Sequence, residues 1–126
     1  MGMAPRWPSI GNCEIDTLYF TECASVWGDQ TYTYIVTDDD CHKYRGFVYG
    51  AATSGATNMA YNTARITNQP ADAIPIKVGG SSGTIDSSRG NVFNMYNYNF
   101  IPKQQKSFEL SAIVAGVGHV IVLGIK

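Results

Sequence analysis

The last third of the chain alternates apolar and polar positions with a period of two. In VFNMYNYNF, from Val92 to Phe100, Tyr96, Tyr98 and Phe100 share one side while Asn97 and Asn99 share the other. From Ser107 to Ala115, Phe108, Leu110, Ala112 and Val114 alternate with Ser107, Glu109, Ser111 and Ile113. AGVG then reads as a turn, and HVIVLGIK runs on almost wholly apolar. Alternation bounded by Gly, Pro and Asn marks half-buried β-strands. A strand apolar at successive positions, as from His119 to Ile125, is expected to be covered on both faces.

The same signals continue upstream. Glu14 to Phe20, with Ile15, Leu18 and Phe20, predicts a first strand, and Thr31 to Thr37 (TYTYIVT) a second, ending at Asp38-Asp39-Asp40. Tyr44 to Tyr49 predicts a third, closed by Gly50. Ala51 to Asn58 is a loop by composition. Met59 to Ile66 reads as a strand, because Asn62 and Thr63 suit a helix interior poorly. Ala73 to Val78 predicts an edge strand, since Pro75 cannot donate to a ladder. Gly79 to Gly90, with its glycines and serines, reads as a flexible loop, and no segment predicts a helix. Met1 to Ser9 is an arm: Pro5 and Pro8 deny it a helix, and Trp7 needs somewhere to pack. The expectation is an all-β fold, a small antiparallel sandwich or jelly roll of about seven to eight strands over residues 10–126, preceded by an extended arm over 1–9.

Composition narrows the partners. One domain of 126 residues can bury a core without staples. Charged residues make up only 15% of it, against about 25% in ordinary domains. Asn, Thr, Ser, Gly and Tyr must therefore supply much of the surface, as they do in adhesive surfaces. A net charge of −1 gives no basic face for phosphates and little repulsion between copies. Nucleic acid is not expected as a partner, and self-association is. Neither an N-terminal apolar run after Met1 nor an 18-residue apolar stretch occurs, so no signal peptide or membrane anchor is expected. Cys13, Cys23 and Cys41 are odd in number and lack CxxC spacing, which favours reduced thiols; one bridge with one free thiol is the alternative.

Candidate chemistry is thin. Asp38-Asp39-Asp40-Cys41-His42 gathers potential ligands, yet it lacks the spaced donors of a calcium loop and reads as a solvated turn. Cys41 and His42 are neighbours that a strand would point apart, and His119 is the only other histidine. Gly79-Gly80-Ser81-Ser82-Gly83 lacks the Lys-Ser/Thr of a phosphate loop, and no GxSxG elbow is present. No catalytic residue, cofactor or metal is expected. Tyr32 with Tyr34, and Tyr96 with Tyr98, fall in pairs at period two; each reads as core or subunit interface, with a glycan platform as the alternative.

The run NFIPKQQKSFELSAIVAGVGHVIVLGIK, Asn99 to Lys126, is similar to the C-terminal ends of small β-sandwich proteins that build or decorate viral capsids. These include phage head-decoration proteins and single jelly-roll shell subunits, which also tend toward low charge, Asn/Thr/Gly-rich surfaces and N-terminal arms. The resemblance implies a structural virion protein, shell or decoration subunit, with no catalytic residues. Its partners would be copies of itself and a major capsid protein, with no nucleic acid and no membrane. Interface candidates are Trp7, Tyr96, Tyr98 and Phe100. The alternative is a carbohydrate-binding or adhesion module that takes a surface glycan.

Overall fold

The computed structural model describes residues 14–23, 29–54, 63–76 and 94–126. Among them are eight strands and one short helix: β1 (Ile15–Cys23), β2 (Gln30–Val36), α1 (Asp38–Lys43), β3 (Gly46–Ser54), β4 (Thr63–Ile66), β5 (Ile74–Ile76), β6 (Asn94–Pro102), β7 (Phe108–Ala115) and β8 (Val117–Ile125). They form a five-stranded sheet, ordered β1-β8-β3-β6-β5, and a three-stranded sheet, ordered β2-β7-β4. Every pairing is antiparallel. The fold is a small all-β sandwich.

Alternation decides what lies between the layers. The large sheet turns Phe47, Tyr49, Ala51, Ile101, Val120 and Val122 inward, and the small one Val36, Ala64, Leu110, Ala112 and Val114; all are fully buried. Phe47 sits edge-on to Tyr44 and to Phe108, at 5.9 and 5.5 Å between centroids. Tyr34 stacks on Tyr19 at 5.4 Å, tying β2 to β1 across the sandwich. Each buried aliphatic side chain stabilises the fold by roughly 1.5–3 kcal/mol.

β8 is an interior strand, paired with β1 on one side and β3 on the other. Its predecessor β7 lies in the other sheet. Only Gly116 separates them, at φ 96°, a conformation that costs a residue with a Cβ but not glycine. The AGVG segment is therefore a corner between layers and not a hairpin turn. Pro75 lies on the edge strand β5, as its missing donor requires.

Three expectations need correction. The Asp38–Asp40 triplet is not a simple turn and the chain is not free of helix, because these residues open α1. Thr37 caps it: its hydroxyl accepts from the Asp40 N–H at 3.2 Å while the Asp40 carboxylate accepts from the Thr37 N–H at 3.3 Å. Three acidic residues in the first turn also suit the positive end of the helix dipole. One turn of helix is too short to display a 3.6-residue period. Second, Gly50 does not close β3, which runs on to Ser54. Third, Ala51 to Ser54 are accordingly strand and not loop, while 55–58 lie outside the described residues.

The helix is stitched to the β6–β7 connection. Lys103 Nζ donates to the carbonyls of Cys41 and Tyr44 at 2.9 and 3.4 Å, the Cys41 thiol donates to the Lys106 carbonyl at 3.2 Å, and the Ser107 N–H donates to Asp38 at 2.7 Å. Beside it, the Tyr44 hydroxyl donates to Asp16 at 2.6 Å, and Lys126 lies 3.4 Å from the same carboxylate. That hydrogen bond is the main reason Asp16 sits below its ordinary carboxyl value and Tyr44 is pushed up to about 12. Cys23 and Cys41 are free and buried, in line with reduced thiols; Cys13 lies outside the described residues.

Candidate assembly interface

The outward face of the five-stranded sheet is built from cross-strand rows. Register places Phe20 opposite Ile121, Ile121 opposite Gly50, Gly50 opposite Tyr98, and Tyr98 opposite Ile76. The next row runs Leu123, Val48, Phe100, Ile74. Partners in an antiparallel pair point to the same face. None of these positions carries a charge. Phe20 and Ile74 are about half exposed, at 50% and 55%, on opposite edge strands.

Glycine sets the relief. A Cβ at Gly50 would fall inside the Tyr98 ring, and one at Gly46 would meet the Phe100 ring at 3.0 Å. Alternation along β6 turns Tyr98 and Phe100 outward and buries Asn99 and Ile101, and the absent side chains of β3 leave room for the two rings over the sheet. Tyr98 is held at its tip as well, its hydroxyl hydrogen-bonded to His119 Nε2 at 2.9 Å. His119 stacks between Phe20 and Tyr98, at 5.7 and 6.4 Å between centroids. Val48, Ile76, Tyr98, His119, Ile121 and Leu123 line a cleft of about 340 Å³ on this face.

Of the interface candidates, the structure brings Tyr98 and Phe100 onto this one face. Tyr96 is on β6 opposite Ala52, its side chain outside what is described, and Trp7 lies outside the described residues. Tyr32 and Tyr34 belong to the sandwich interior instead, where Tyr34 packs on Tyr19. Sequence reasoning missed His119 as the partner of Tyr98, and missed Phe20, Val48, Ile74 and Ile76. The only available signal was β8, apolar at successive positions. Cys41 and His42 form no pair: the thiol is spent on Lys106, and His42 Nδ1 lies 2.8 Å from the Asp38 carbonyl. Among the described residues, no group of three or more His, Cys, Asp or Glu is placed to hold a metal ion. Compared with protein-family models, curated proteins and solved structures, the chain matches none.

Proposed function

We propose that this chain is a structural virion protein, a capsid-shell or capsid-decoration subunit that acts through subunit–subunit contacts and not by catalysis. The observation that carries the reading is the largely apolar outer face of the five-stranded sheet, where Glu22, opposite His119, is the one charged side chain among the described residues; it leaves large apolar side chains in water unless another surface covers it. The pairing of β1 with β8, β2 with β7 and β3 with β6 is nested in the manner of a jelly roll, an architecture used by capsid proteins and also by lectins and cupins. Because a fold alone does not assign a role, the face carries more weight than the topology. In this reading the partners are further copies of the chain and a major capsid protein, and the site of action is the virion.

The stacked row Phe20–His119–Tyr98 lends some support to the alternative, a carbohydrate-binding module. Sugar recognition also needs polar groups to meet hydroxyls, and in this cleft the Tyr98 hydroxyl and His119 Nε2 are bonded to each other. Particles purified from the native source and analysed by electron microscopy and mass spectrometry decide the matter. The chain should be present in fixed stoichiometry with a shell protein. Its absence from any particle, together with saturable binding on a glycan array, would establish the alternative.

A further inference from the structure

We infer that two copies of this chain pair face to face through their five-stranded sheets, about a two-fold axis running along the strands. The inference rests on reading this face as an assembly surface and adds the occupant: a second copy. Four strands of nine residues and one of three, at about 3.3 Å per residue and about 4.8 Å between strands, give a face of roughly 600 Å². A standard interface takes about 600–1,000 Å² from each partner, so the face reaches the lower end of the range for one specific contact.

A self-paired surface must carry both knob and hole, and must not set like charges against each other. This one meets both conditions, because its one charged side chain among the described residues, Glu22, lies on edge strand β1, and an axis along the strands sets the two copies of it at opposite edges. Phe20 stands out from edge strand β1, and the cleft on the same face is lined by Ile76 of the opposite edge strand β5 and by Tyr98, Ile121 and Leu123 of the strands between. Phe20, Ile121, Gly50, Tyr98 and Ile76 lie in a single cross-strand row. An axis along the strands carries β1 of one copy over β5 of the other, so Phe20 arrives at the level of Ile76. The two-fold makes the contact twice. Tyr98, propped by Gly50 and tied to His119, is already ordered and loses little freedom on contact.

The test uses the full chain. Sedimentation equilibrium should give a concentration-dependent dimer that persists in high salt, because screening weakens charge pairs and not apolar burial. Phe20→Lys or Leu123→Lys should weaken it by roughly 100-fold or more by placing a charge in an apolar contact. Ile35→Lys, at an exposed position on the small sheet, should leave it unchanged. Circular dichroism melts confirm that each variant folds. In a chain carrying Phe20→Cys and Ile76→Cys, the two positions are four strand spacings apart, about 19 Å, so a bridge between them can only join two copies. Oxidation should yield a covalent dimer in which mass spectrometry finds peptide 20 linked to peptide 76. A strictly monomeric chain at high concentration overturns the pairing. So does association that survives Phe20→Lys and Leu123→Lys, or that is lost only when residues 1–9 are removed and so belongs to the arm. None of these results touches the virion reading, which stands or falls on the native particles.

Discussion

The two sheets share a core and differ in what they present to the outside. On the three-stranded sheet most outward positions are polar, with Ile35 and Ile113 the large apolar ones, and several are paired locally. Thr33 and Ser111 hydroxyls lie 2.7 Å apart, Asn68 donates to Glu109 at 2.8 Å, and Arg65 meets Asp29 at 2.6 Å. Ile35 is exposed there, but it stands opposite Glu109. This is the ordinary state of an antiparallel sheet with one face in water. The five-stranded sheet carries apolar side chains on both faces; its outer face is apolar across two cross-strand rows, with Thr17 and Glu22 as polar positions on edge strand β1. Stability resides between the sheets, and the proposed contact lies on the outer side of one of them.

The sharpest way to break this comparison is to remove β8, which serves both faces of the large sheet. Deleting residues from Val120 onward removes Val120 and Val122 from the core and leaves β1 and β3 without most of the strand that pairs with both. No cooperative thermal transition should remain; a truncated chain that melts in one sharp step would sink the assignment of β8 as the centre of the fold.

A pair of leucine truncations separates the inner face from the outer. Leu110→Ala, at a fully buried site, should cost about 2–5 kcal/mol in chemical denaturation. Leu123→Ala, on the half-exposed outer face, should cost about 1 kcal/mol in the lone subunit and show its larger effect on association. Equal losses at the two sites would mean that the faces do not differ as described.

Gly50→Ala probes how the outer face is shaped. The added methyl must displace the Tyr98 ring and with it the bond to His119, at about 1–3 kcal/mol. Denaturation midpoints give the cost, and a Gly50→Ala chain as stable and as associative as the parent would show that the ring does not depend on that space.

The smallest effect lies at the rim. Asp16 titrates below its ordinary value of 3.8, chiefly because of the Tyr44 hydroxyl, with Lys126 adding to it. A depressed folded value means stability that is fully present above 3.8 and is lost as pH falls through the folded value. Asp16→Asn should lower stability slightly near neutrality, converge on the parent at pH 2, and so flatten that acid limb in a series of melts from pH 6 to pH 2. A variant whose acid limb matches the parent's would place the acid sensitivity elsewhere.

Strand existence was legible because a period of two is a local property of neighbouring residues. It gave β2 and β7 to within one residue and β8 from His119 onward, two residues late, and Pro75 placed β5 at an edge. The helix escaped because its signal was a cap, Thr37 with Asp40, and not a period. Gly50 was misleading for a different reason. A glycine reads as a strand end until one knows that a ring from β6 occupies its missing side chain's place. The same holds for the site: Tyr98 and Phe100 could be paired from spacing, but His119 and Phe20 could not be joined to them.

By itself, the sequence determined that this protein is built of strands, that it has little charge to spread over its surface, and that its last strand is apolar on both faces. Only the tertiary structure decided which rings face the core, that β7 and β8 belong to different layers, and that the apolar outer positions merge into one surface. The reason is physical. Alternation sorts residues onto two faces of a strand, but which face meets the other sheet and which meets water depends on register among strands far apart in the chain.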